Sequence, residues 1–158
     1  MSTHQVDVAR LEQAVRQLAE QLEELKSYIE IAQNRVSSIT SEIEELRASY
    51  EALTWLEKRS SNETLIALDR RGYAFVKVLI PDQEKVFVSL GRDYVVELPI
   101  DKAKSILSAR EKELMAALRD AEADLRKLLE LYNQLNRKLQ EYLSLLAQAR
   151  AKHEGGGG

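Results

Sequence analysis

The sequence predicts an α+β fold in which two long helices form an antiparallel coiled coil and are connected by two β-hairpins. Apolar or near-apolar residues recur at alternating steps of three and four over residues 8–53 and again, with one exception, over 107–149. This average period of 3.5 residues keeps one seam of each helix facing a partner. Between the two stretches, residues 58–98 contain four short segments rich in Val, Ile, Leu, Tyr and Phe, as β-strands are. The 158 residues are predicted to form one structural domain.

The first helix is predicted for residues 1–57. Its seam consists of Val8, Leu11, Val15, Leu18, Leu22, Leu25, Ile29, Ala32, Val36, Ile39, Ile43, Leu46, Tyr50 and Leu53. At a rise of 1.5 Å per residue, the seam is roughly 70 Å long. Neither glycine nor proline interrupts it, and residues 1–56 carry ten acidic and five basic side chains. So long a helix requires a partner that covers its seam.

The β segment, residues 58–98, is expected to contain four strands in two hairpins. The strands are predicted at 64–68, 73–80, 85–90 and 94–98, and turn-forming residues connect them at 69–72, 81–84 and 91–93. Pro81 lacks an N–H donor, which suits a loop better than a central strand.

The second helix is predicted for residues 99–152, with Asp101 as its N-cap. Its seam consists of Leu107, Leu114, Leu118, Ala121, Leu125, Leu128, Tyr132, Leu135, Leu139, Tyr142, Leu146 and Ala149. One expected seam position is occupied by Glu111. Residues 153–158 end in four glycines and are expected to be a flexible tail or a scar.

The simplest arrangement pairs the two helices antiparallel, with the β segment at the closed end. A register that brings Val8 opposite Ala149 also brings Ile43 opposite Leu114. A slip of seven residues would preserve the apolar seam, but it would leave one helix end unpaired.

The four strands need a second layer, because two isolated hairpins leave apolar faces and unpaired edges open. We therefore expect them to join strands of other subunits in a larger β assembly. The alternative is that the strands pack on the base of their own helices. The predicted oligomerisation residues are Leu65, Ile66, Phe75, Val78, Val86, Val88, Tyr94, Val95 and Val96.

Near the open end of the coiled coil, the apolar stripe is wider than the seam. The residues concerned are Val6, Val8, Leu11 and Val15 in the first helix, and Tyr142, Leu143, Leu145 and Leu146 in the second. A two-stranded coil cannot bury all of these side chains at its frayed end, so they form a candidate apolar binding surface. The alternative is that they are ordinary residues flanking the core, since Leu129 and Leu131 show the same widening farther along.

Composition argues against several other functions. The chain has no cysteine and two histidines, so we expect no catalytic centre, metal site or cofactor. A net charge of −3 gives little support to nucleic-acid binding, and no apolar run is long enough to span a membrane. A basic cluster at Lys58, Arg59, Arg70 and Arg71 is expected to be solvated loop charge.

The order helix, two hairpins, helix resembles the alpha-class subunit of the prefoldin family over nearly the whole chain. The resemblance is sharpest over residues 65–107, where an apolar strand, a glycine-containing turn, a second strand and a polar loop precede a V-x-V-S-x-G-x-x-Y-x-V-E block. The residues that match this block are Val86, Val88, Ser89, Gly91, Tyr94, Val96 and Glu97. Asp69, Arg70 and Arg71 depart from the usual small residues of the first turn.

This resemblance implies a cytoplasmic, ATP-independent holdase that acts as a chaperonin cofactor. In the family, two alpha and four beta subunits form a hetero-hexamer through inter-subunit β-barrels built from the hairpins. The coiled-coil tips bind unfolded client proteins and deliver them to a group II chaperonin. Two other functions stay open: a filament-forming prefoldin-like subunit, and a structural coiled-coil adaptor that binds no client.

Overall fold

The computed structural model describes residues 3–81 and 84–155, apart from the side chains of residues 3–6, 153 and 154. The elements in chain order are α1 (Thr3–Lys58), β1 (Glu63–Ala67), β2 (Phe75–Leu79), β3 (Lys85–Gly91), β4 (Tyr94–Pro99) and α2 (Ile100–Gly155). The predicted fold class, with two long helices and two hairpins, is therefore confirmed.

The start of α2 differs from its prediction. Asp101 does not precede the helix as an N-cap, because β4 ends at Pro99 and the helix begins at Ile100. Asp101 lies instead in the first turn, where its negative charge is favoured by the free N–H groups and the helix dipole.

The elements form two compact units. One combines Met1–Ile39 with Ala117–Gly158, and the other is Thr40–Ala116, which contains both hairpins. Within each unit the two helices lie antiparallel. Glu12 pairs with Arg150 at 2.6 Å in the first unit, and Glu57 pairs with Lys104 at 2.8 Å in the second.

The predicted seam is the core of both helix pairs. Every predicted seam residue except the exposed Tyr50 is buried or half-buried. The least exposed are Leu18, Leu22, Leu25, Ile43, Ala121 and Leu146. Burying one leucine side chain contributes about 1.5–3 kcal/mol, whereas an exposed ion pair contributes about 0.2–1 kcal/mol. The apolar seam therefore supplies most of the stability of the helix pairs.

The two hairpins are separate two-stranded antiparallel sheets with different turns. In the first, Glu63 pairs with Leu79 and Ala67 with Phe75 without irregularity. The second has a register shift between Ser89 and Gly91 and turns through Arg92 and Asp93, whose φ angles are 49° and 65°. Positive φ at both central residues is the geometry of a type I′ turn, which matches the twist of the strands it joins.

Arg59 connects the end of α1 to the end of the first hairpin. Its Nη1 atom donates to the carbonyl oxygen of Leu56 at 2.8 Å, and its Nη2 atom donates to that of Pro81 at 3.0 Å. The expectation that Arg59 is a solvated loop charge is wrong, because Arg59 is half-buried and its guanidinium donates to one carbonyl group at the helix terminus and one beyond β2. The other members of the basic cluster, Lys58, Arg70 and Arg71, are exposed as expected.

Candidate interaction surfaces

The first hairpin exposes apolar side chains on both of its faces. By strand pairing, Leu65, Phe75 and Leu79 share one face, and each keeps more than half of its surface exposed. Ile66 and Val76 lie opposite each other on the other face and are also exposed. Among the described strands, β1 and β2 pair only with each other, so each has an open edge. An apolar two-stranded sheet with open edges and uncovered faces is a surface for adding further strands.

The second hairpin covers one of its faces with its own helices. Val88 is only 6% exposed and lines a groove together with Leu53 of α1 and Leu107 of α2. On the opposite face, Phe87 is 72% and Val95 59% exposed. The alternative in which strands pack on their own helices therefore applies to one face of this hairpin. The other face is open.

The predicted oligomerisation residues fall into three groups. Leu65, Ile66, Phe75, Tyr94 and Val95 are exposed; Val78, Val86 and Val96 are half-buried; and Val88 is buried. Exposure makes the first group available to another subunit, and assembly through it stays a prediction.

The turn of the first hairpin is built around the Asp69 carboxylate. Its two oxygens accept hydrogen bonds from the backbone N–H groups of Tyr73 at 3.0 Å, Ala74 at 3.1 Å and Arg71 at 2.8 Å. These bonds, that of Tyr73 foremost, hold the pKa of Asp69 below its ordinary value, because they stabilise the charged form. Asp69 and Arg71, which depart from the small residues usual at this turn in the family, are therefore part of the hydrogen bonding that holds the turn together.

We expect Asp69→Asn to loosen this turn in a pH-dependent way. A folded-state pKa below the unfolded value of about 3.9 means that the charge contributes stability above that value, and that this contribution is lost as pH falls through the folded pKa. Amide exchange at Tyr73 and Ala74 should therefore be faster in the variant at pH 6. The difference from the native chain should disappear in strong acid.

Asp93→Asn in the other hairpin is the matched control, because asparagine tolerates the positive φ of that position. Equal exchange at Tyr73 in the native chain and Asp69→Asn at pH 6 would show that the carboxylate does not hold the turn.

The predicted helix-end surface is partly exposed. Leu143 and Leu145 keep 39% and 48% of their surface open, whereas Leu146 is buried in the seam. The Glu12–Arg150 ion pair shows that this end of α2 lies beside the start of α1. The seam residues Val8, Leu11, Val15 and Tyr142 are half-buried there. The remaining predicted member, Val6, lies outside the residues whose side chains are described.

Exposed apolar residues also occur away from the helix end. Leu129 and Leu131 are 40% and 43% exposed, much like Leu143 and Leu145. On α1, Tyr28 is exposed, and it lines a shallow depression with Leu25 and Leu131. Exposure alone therefore does not single out the helix end.

Comparisons with known proteins match most of the chain. The family model described as prefoldin subunit covers residues 25–144. The chain belongs to the prefoldin family. It is 33% identical to prefoldin subunit alpha of Sulfurisphaera tokodaii over 122 residues, which are 77% of this chain and 80% of that relative. It is 31% identical to prefoldin subunit alpha of Saccharolobus solfataricus over 140 residues, covering 89% and 92% of the two chains.

One solved prefoldin structure has the same fold. A cryo-EM structure of filamentous prefoldin from Methanocaldococcus jannaschii superposes with a TM-score of 0.54 at 23% identity, covering 80% of this chain and 98% of that one. The alpha-subunit relatives confirm the resemblance to the alpha class of the family. The family match begins after Val15 and ends before Leu145, so most of the helix-end surface lies outside the matched residues.

Several exposed apolar residues in and near the prefoldin hairpins were not identified from the sequence. Phe87, Leu90, Leu68, Leu79 and Tyr73 are all more than half exposed, and Trp55 near the end of α1 is 48% exposed. Phe87 could have been found from strand alternation, because it lies between the inward-facing Val86 and Val88. No pattern in the sequence distinguishes Trp55.

In the described part of this prefoldin chain, no group of three or more His, Cys, Asp or Glu side chains is arranged to hold a metal ion. None of the described helices is long and apolar enough to cross a membrane.

Proposed function

We propose that this chain is a subunit of an ATP-independent cytosolic chaperone that holds non-native proteins at its helix-end surface and delivers them to a group II chaperonin. Membership of the prefoldin family supports a chaperone role. The proposed location of the binding site is supported by the exposure of Leu143 and Leu145 beside the paired ends of α1 and α2. Apolar surface of this kind binds unfolded segments without requiring a particular sequence.

In this proposal the hairpins assemble the chain with beta-class prefoldin subunits, two alpha with four beta. The support is the uncovered apolar surface on both faces of the first hairpin and on one face of the second. Open strand edges favour partners that supply further strands, which would close the sheets into a barrel.

The test of holdase activity is the aggregation of a chemically denatured model enzyme on dilution. The chain assembled with a candidate beta subunit should suppress light scattering in the absence of nucleotide. Subsequent addition of a group II chaperonin with ATP should restore the activity of the model enzyme. Full aggregation in the presence of an intact assembly would favour the structural adaptor instead.

Native mass spectrometry of the same sample distinguishes the two modes of assembly. A closed particle with two copies of this chain and four of the beta subunit supports the hetero-hexamer. A ladder of masses from this chain alone supports a filament, because open edges on each hairpin allow unlimited addition of strands.

A further inference from the structure

Three ion pairs join α1 and α2 within the unit Thr40–Ala116. Their closest nitrogen–oxygen distances are 2.6 Å for Arg47–Glu111, 3.1 Å for Glu42–Arg110 and 2.8 Å for Glu57–Lys104. Lys104 has a side chain that is only 18% exposed, and its Nζ atom also lies 5.0 Å from the centre of the Tyr50 ring.

Glu111 is the carboxylate that interrupts the apolar seam of α2. Its Oε1 atom accepts from Nε of Arg47, which is the neighbour in sequence of the seam residue Leu46. The Nη2 atom of the same arginine lies 4.0 Å from the Sδ atom of Met115. The break in the seam is therefore filled by a specific polar contact between the two helices.

Apolar residues alone do not specify the register of these helices. Because the seam repeats every seven residues, moving α2 by one heptad in either direction again places apolar residues opposite each other. Such a slip displaces one helix by about 10 Å along the other.

Both slipped registers are disfavoured by repulsion between like charges. A slip in one direction replaces Glu111 by Lys104 beside Arg47, which brings two positive charges together. A slip in the other direction replaces Lys104 by Glu111 beside Glu57, which brings two negative charges together. Each slip also takes Glu111 away from Arg47, because the α1 residues one heptad from Arg47 are the uncharged Thr40 and Thr54.

We propose that Arg47, Glu57, Lys104 and Glu111 form a register code, in which the attraction in the native register matters less than the like-charge contacts in the slipped ones. A polar residue in a coiled-coil seam selects one register at a cost in stability. The register code explains why Glu111 occupies a seam position at which the heptad pattern predicts an apolar residue. The proposal concerns how the chain folds and does not depend on client binding.

Engineered disulfides report the register directly, since the chain has no cysteine of its own. Ile43→Cys with Leu114→Cys reports the native register. Ile43→Cys with Leu107→Cys reports one slip, and Tyr50→Cys with Leu114→Cys reports the other. In the background of the native charges, we expect oxidation to crosslink the first pair and leave the two slipped pairs reduced, because a disulfide requires Cα atoms within about 7 Å.

The decisive variant exchanges the charges, Arg47→Glu with Glu111→Arg. It keeps an opposite-charge pair in the native register, but it turns the like-charge contact of each slipped register into an attraction. We expect the slipped crosslinks to increase about tenfold, equivalent to about 1.4 kcal/mol. Slipped crosslinks at the native level would overturn the proposal, because they would show that the native contact alone sets the register.

The matched control is the exchange Glu12→Arg with Arg150→Glu. This ion pair also joins α1 and α2, but a one-heptad slip brings neither residue beside a charge. We expect no increase in slipped crosslinks for it, and an equal increase in both exchanges would also overturn the proposal. Glu111→Leu provides a second measurement: its Tm should rise by a few degrees while the slipped crosslink between Tyr50→Cys and Leu114→Cys appears, because this slip no longer brings two negative charges together. A higher Tm with one register only would contradict the register code.

Discussion

Replacing Leu143 and Leu145 by serine is expected to abolish most of the suppression of client aggregation while the assembly stays intact. Each leucine is partly exposed, so a bound client can bury its remaining surface. Losing that burial at two positions removes about 2–3 kcal/mol of binding free energy, which weakens client binding roughly 30- to 150-fold. Light scattering of a denatured model enzyme, titrated against the assembled chaperone, measures the loss.

The chain offers a close control for this experiment. Leu129 and Leu131 have the same spacing on the same helix, and their exposures of 40% and 43% resemble the 39% and 48% of Leu143 and Leu145. Leu129→Ser with Leu131→Ser should leave suppression nearly unchanged. Equal losses in the two double variants would show that binding is spread along the helix.

Leu146 is left unchanged in this test because it is buried. Its replacement would remove a seam side chain that is 7% exposed and would lower stability by about 2–5 kcal/mol, the range for buried leucines truncated to alanine. A loss of activity in such a variant would not distinguish binding from folding. The double variant at Leu143 and Leu145 avoids this ambiguity.

Replacing Leu65 and Phe75 by serine in the first hairpin is expected to prevent assembly without unfolding the helices. Both residues lie on one face of the hairpin and have 63% and 57% of their surface uncovered. Loss of two such contacts at a subunit interface weakens association by about 3 kcal/mol or more, a factor of at least ~100 in Kd. Sedimentation velocity of the chain with a beta-class partner measures the change.

The control for the hairpin variant is Tyr28→Ser with Ile31→Ser on α1, where the two side chains are 50% and 65% exposed. It removes a similar amount of exposed apolar surface away from the hairpins and should leave assembly unchanged. Circular dichroism should show the same helix content in all samples. An unchanged sedimentation coefficient for Leu65→Ser with Phe75→Ser would exclude this face from the interface.

The helices were predictable because their signal is local and repeated. The 3.5-residue period predicts which side chains face the partner helix over dozens of residues. Each predicted seam residue apart from Tyr50 is at least half-buried in the structure. The strands were predictable to within a few residues for the same reason, since alternation and turn residues delimit short segments. The start of α2 was less predictable, because the strand runs into the helix without a separate cap residue.

Which faces of the hairpins are covered could not be read from the sequence. Val78 and Val88 are both valines of predicted strands, yet Val88 is buried beside Leu53 and Leu107 while Val78 is half-buried. The alternation of residues along a strand assigns each side chain to one of two faces, but it does not predict which face packs against another element.

The sequence by itself determined the two coiled-coil helices, the two hairpins between them and the resemblance to prefoldin, because each depends on neighbouring residues or on a short motif. The tertiary structure decided which apolar residues are left open. It buries Leu146 and exposes Leu145 beside it, and it covers one face of the second hairpin while leaving apolar side chains exposed on both faces of the first. The physical reason is that exposure depends on contacts between residues far apart in sequence, and those contacts exist only once the helices are paired.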